Sequence, residues 1–165
     1  MNLIELLVLG AIWGASFLCM RIAAPEFGPL PLIFLRVGIA ALFLLPVMRS
    51  RRARSAMRQK AWPLFVIGMT NSALPFSLFA YSMLTLSAGF DAILNASTPV
   101  WTALVALAWL KTPISRLQLA GLAIGLGGVM ILMWDKIGIS GGADHATLAV
   151  SAVVLATICY GFAIN

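Results

Sequence analysis

Residues 90–134 read FDAILNASTPVWTALVALAWL, then KTPIS, then RLQLAGLAIGLGGVMILMW. Two apolar arms flank a short break. Each arm is about 20 residues long, and at about 1.5 Å per residue it reaches across the roughly 30 Å hydrocarbon core of a bilayer. The pair therefore reads as a membrane hairpin. On the first arm Asp91, Asn95, Thr98 and Thr102 recur at helical spacing and share one face. Lipid cannot hydrogen-bond to such a stripe, so it is expected to face other helices or a watery cavity. Pro99 lies inside the arm. A proline in mid-helix removes the amide that would bond the carbonyl four residues back, here that of Asn95.

Outward from this hairpin the chain keeps the same character. It has 165 residues, 62% of them hydrophobic and 10% charged, with a net charge of +6, far from the composition of a soluble domain. The fold class is an all-α integral membrane protein. Spans are expected at about 3–24, 32–48, 61–84, 90–110 and 116–134, with a sixth over 146–165 after an outer loop at 135–145. The first is expected to end at PEFGPLP, residues 25–31, because prolines and glycine interrupt helices.

The charge marks orientation and excludes a nucleic-acid partner. Arg49, Arg51, Arg52, Arg54, Arg58 and Lys60 lie together between two apolar runs, and Lys111 and Arg116 flank the hairpin break. By the positive-inside rule both loops are cytoplasmic, which places the N-terminus inside a cell (inner) membrane crossed several times. Cys19 and Cys159 lie in apolar runs with no CxxC or neighbouring histidine, so neither a disulfide nor a metal site is indicated. No cofactor is implied. GLGG at 125–128 follows no strand, so it is not a nucleotide loop. Gly121, Gly125 and Gly128 read instead as a close-packing face.

The third span repeats the proline pattern of the fourth. NSALP at 71–75 sets Pro75 against Asn71 as NASTP at 95–99 sets Pro99 against Asn95. Kinked helices with freed carbonyls at mid-depth are a means by which transporters bind solutes and flex. Asn71, Pro75, Leu78 and Ser82 are expected on one face. Trp13 lies near mid-depth, where tryptophan is unusual; it reads as cavity wall or as bundle filler. TICYGFA at 157–163 aligns with GAIWGAS at 10–16, setting Tyr160-Gly161 against Trp13-Gly14. A second, inverted five-helix unit is then expected to begin here, and the chain to be the first half of a longer protein.

The candidate solute-binding residues are thus Trp13, Asn71, Ser82, Asn95, Thr98 and Tyr160, with Pro75 and Pro99 as gating kinks. Arg36 and Asp91, both within spans, are candidates for charge or proton coupling, and Arg36 is expected to snorkel or to pair with Asp91. No paired acids, HExxH or Ser/His arrangement lies at one depth, so an enzyme is the weakest reading. Two readings compete: a secondary transporter, and a non-transporting assembly or scaffold bundle whose stripes only zip helices together.

Four pieces of sequence resemble the EamA-like branch of the drug/metabolite transporter superfamily: AIWGASF, LRVGIAALFLLP, AILNASTPVWTALVALAWL and ISRLQLAGLAIGLGGVMIL. The resemblance covers residues 1–134 as one repeat and places 146–165 at the start of the next. It implies ten helices in two inverted five-helix repeats around a central cavity, moving small metabolites or amino acids, often outward. The partners it implies are a small-molecule substrate, membrane lipid, and either the missing second repeat or a second copy of the chain. Where that family usually carries a Gly-Glu pair in the inner loop, this chain has Lys111 and Thr112.

Overall fold

Nine helices follow one another in a computed structural model that describes residues 2–134 and 143–165; residues 135–142, most of the expected outer loop, lie outside the described residues. They are α1 (Leu3–Phe27), α2 (Pro29–Leu44), α3 (Arg51–Gln59), α4 (Ala61–Gly68), α5 (Leu74–Ser82), α6 (Ala88–Asn95), α7 (Thr98–Trp109), α8 (Arg116–Trp134) and α9 (Ala143–Ile164). A 3-10 turn, Leu45–Arg49, follows α2, and a π-helical turn, Met69–Ala73, joins α4 to α5. Five stretches are long and apolar enough to cross a membrane: Leu3–Phe27, Pro29–Arg49, Ala61–Ser82, Ala88–Trp109 and His145–Ile164. The helix α8 adds 19 residues, about 28 Å of rise. Large apolar side chains such as Phe34, Phe43 and Leu117 stay exposed, as lipid-facing positions do.

The expected break at 25–31 is narrower than the proline count suggests. Helix α1 continues through Pro25 to Phe27, and Gly28 alone turns the chain, with φ 79° and its amide on the Ala24 carbonyl at 3.0 Å. Pro29 then opens α2, where a missing amide costs nothing and the fixed φ suits the helix. The basic run is itself helical over α3, N-capped by Ser50.

Both proline motifs deform their spans, by different means. Before Pro75 the helix gains a residue: the Leu74 amide reaches back five positions to the Met69 carbonyl, closing the π-turn that contains Asn71. Before Pro99 the helix stops at Asn95 and restarts at Thr98. The carbonyl that Pro99 leaves free is not bare, because Thr98 Oγ1 donates to it at 2.7 Å.

The turn between α7 and α8 contains a left-handed backbone position. Lys111 takes φ 52°, the sole non-glycine positive φ among the described residues, and the Thr112 amide returns to Ala106 at 3.2 Å. This left-handed helix-ending position favours glycine. Ser115 and Gln118 then cap α8 reciprocally, at 2.9 and 3.2 Å.

The core gathers around α9. Ala149, Val153, Ala156 and Tyr160 pack with Phe17, Met20, Ile33, Phe79 and Met83 from α1, α2, the α5 helix and its C-terminal end. Small residues let helix backbones approach where lipid offers no hydrophobic driving force. The closest approach is at Gly161, where an added Cβ would sit 2.9 Å from the Trp101 carbonyl carbon and 3.1 Å from the Thr102 nitrogen. Gly161→Val is expected to force α9 off α7 and cost about 1–3 kcal/mol, read as a lower SDS unfolding midpoint. Gly125→Ala serves as the control, since a Cβ there meets nothing within 4 Å. The same openness at Gly121, Gly127 and Gly128 means that the expected close-packing face of α8 has no helix against it among the described residues. Helix α8 touches the bundle sparsely, through α6, so the hairpin arms stand apart.

Candidate functional site

A cavity of about 410 Å³ lies where the deformed segments meet, lined by Trp13, Asn71, Ser72, Phe76, Asn95, Thr98, Tyr160 and Ile164. Five of the six candidate residues thus converge from α1, the π-turn, the α6–α7 break and α9. Trp13 and Tyr160, which the sequence alignment sets at equivalent positions, stand on the same cavity.

Ser82 lies elsewhere. Its side chain is fully buried, and its hydroxyl faces Asp91 Oδ2 at 2.5 Å and the Phe79 carbonyl at 2.8 Å. The π-turn accounts for this. One inserted residue rotates every later position by about 100° around the helix axis, so the regular series from Asn71 through Leu78 to Ser82 is broken. Phe76 joins Asn71 at the cavity instead. Neither Phe76 nor Ser72 can be found by spacing alone; the proline four residues after Asn71 is the signal that the register breaks there.

The cavity wall is neutral, and its polar groups differ in what they have left to offer. Thr98 Oγ1 is committed to the Asn95 carbonyl, with Asn95 Oδ1 at 3.1 Å. The Tyr160 ring is held edge-on to Phe76 at 6.5 Å and stacked on Phe79 at 6.1 Å, while its buried hydroxyl has no hydrogen-bond partner among the described residues.

The two charged candidates are not a pair. Arg36 places its guanidinium 4.1 Å from the centre of the Phe76 ring, with Nη1 3.3 Å from Met20 Sδ. It is seven residues inside α2, about 10 Å from that helix's start. Asp91 is buried beside Ser82, with Oδ1 unpartnered among the described residues. Arg21 donates from Nη1 to the Met83 carbonyl, one residue after Ser82.

Pro75 is buried at the start of α5 rather than on the cavity. Pro99 and Thr102 line a larger space of about 780 Å³ between α7 and α8, which also includes Thr98, Ala103, Ala106, Gly121 and Leu122. That space offers less free polar chemistry despite its size. Its wall is mainly aliphatic, and the Thr102 hydroxyl already donates to the Thr98 carbonyl at 3.0 Å; a lipid tail or another helix suits it better.

The EamA-like transporter family model matches residues 2–134. The chain is 28% identical over 152 residues to Protein PagO of Salmonella typhimurium strain LT2, covering 90% of this chain and 50% of PagO. It therefore spans about half the length of that curated relative. No solved structure matches.

Proposed function

From the premise that the chain belongs to the EamA-like transporter family, we propose that it forms one wall of a secondary transporter exporting small metabolites or amino acids by alternating access. The observation that carries this is the meeting of Trp13, Asn71, Asn95, Thr98 and Tyr160 on one cavity beside two helix deformations. π-Turns and helix breaks cluster at functional sites because they put polar groups at mid-depth and let the helix halves move. Pro75 and Pro99 are the gating elements in this scheme. A transporter needs both features; a zipped bundle needs neither. Counterflow of radiolabelled amino acids and small organic acids into proteoliposomes tests it, and retention of every solute at the empty-vesicle rate would support a non-transporting bundle.

The proposed orientation puts the N-terminus and α3 in the cytoplasm of a cell whose inner membrane holds the protein. It rests on the cations of residues 49–60 and of the α7–α8 turn. A cysteine introduced at Ser55, in a chain with Cys19 and Cys159 replaced, is expected to resist an impermeant maleimide on intact cells and to react after lysis. Labelling of intact cells would reverse the orientation.

A further inference from the structure

We propose that this cavity takes the carboxylate of its solute at a subsite formed by Tyr160 and Arg36 on either side of Phe76; the inference rests on reading the cavity as the solute site. Two observations converge on it. Tyr160 lines the cavity, its side chain is 8% exposed, and its buried hydroxyl has no acceptor among the described residues. A buried donor without an acceptor is costly and is expected to find one. Arg36 is a membrane-embedded cation whose neighbours are a thioether and a ring, not a carboxylate. A charge within a span is expected to have a partner or a task.

The geometry joins the two. Phe76 lies on the cavity wall with the guanidinium over its ring at 4.1 Å and Tyr160 edge-on at 6.5 Å. The cation thus stands behind Phe76, one ring from the cavity that Tyr160 also lines. The remaining wall agrees: Trp13 can only donate, the amides of Asn71 and Asn95 can donate, and the Thr98 hydroxyl is spent on its own helix. No acidic side chain lines the space.

The three aromatic residues would by themselves also suit an organic cation. The Arg36 charge on Phe76 opposes that choice, and a single cation matches a monoanion better than a dianionic phosphate. The aromatic walls then hold the apolar body of the solute while Tyr160 and Arg36 read its head.

Binding of phenylacetate, phenylacetamide and phenethylamine to the full chain in neutral-lipid nanodiscs, by calorimetry, tests this apart from transport. The acid is expected to bind about tenfold more tightly than the amide, the order expected for one charge at a ring's remove in a partly hydrated site, and the amine most weakly. Arg36→Gln should bring acid and amide within about twofold. Arg36→Lys, which keeps the charge, should keep most of the preference, and Tyr160→Phe should weaken the acid selectively. Equal affinities, no binding of either solute, a preference surviving Arg36→Gln, or its loss in Arg36→Lys would each overturn the subsite. A carboxylate preference without flux would keep the subsite and overturn transport; flux of solutes without that preference would do the reverse.

Discussion

Asn95→Leu is expected to lower solute flux about tenfold or more, while Thr102→Val leaves it within about twofold. The two residues lie on one helical stripe in the sequence but on different spaces in the structure. Asn95 lines the cavity beside Trp13 and Tyr160, whereas Thr102 lines the gap between α7 and α8 and bonds its own helix at 3.0 Å. Losing a hydrogen bond to a solute and leaving its polar group unpaired costs about 1–3 kcal/mol, hence the tenfold scale. Leucine at 95 also removes the Oδ1 that faces the Thr98 hydroxyl at 3.1 Å, but the carbonyl acceptor at 2.7 Å remains. Thr98 should therefore keep its place. Initial rates of counterflow at matched protein density are the measurement, and equal losses in both variants would assign the whole stripe to packing.

Most of this site could be read from residue types and spacing, because a membrane limits what a polar side chain can do. Asn71 and Asn95 were identifiable since each is followed four residues later by a proline, and Trp13 since it sits far from an interface. What spacing could not supply is how each helix absorbs its proline. Losing one amide permits a bend, an inserted residue or a break, and the choice depends on neighbours: a π-turn at Met69–Ala73, a break at Ala96 and Ser97. The first choice rotates Ser82 away from the cavity and brings Phe76 to it. The second is sealed by a threonine hydroxyl that a helical-wheel argument assigns to solute. A linear reading offers Asp91 as a partner for Arg36, yet Phe76 holds one and Ser82 the other. Those pairings are tertiary facts. The glycines of α8 read as a close-packing face, yet no helix packs on them among the described residues, because spacing does not say what covers a face.

That uncovered face leads to the largest expected effect: a single copy of this 165-residue chain should carry no flux above empty vesicles, and flux should appear only when two five-span units assemble. Trp13 is 43% exposed although it lines the cavity, and a Cβ on Gly10 or Gly14 beside it would meet nothing within 4 Å. At the equivalent position in the sequence alignment, Gly161 is pressed against the backbone of Trp101. If the two glycines play equivalent roles, Gly14 awaits a helix corresponding to α7 from a second, inverted unit. That helix would close the open side of the cavity. Inverted units bind solute at their mutual interface. Each polar pairing left unmade in lipid costs roughly 0.6 to 2 kcal/mol, so several open positions give a strong drive to pair or to misfold. Proteoliposomes prepared at falling protein-to-lipid ratio, with occupancy counted by single-molecule photobleaching, separate the cases. Flux should fall with the fraction of vesicles holding two or more copies. Flux that persists in vesicles shown to hold one copy would mean that this chain closes the pathway alone, and Gly14→Leu would then be expected to leave transport intact rather than abolish it.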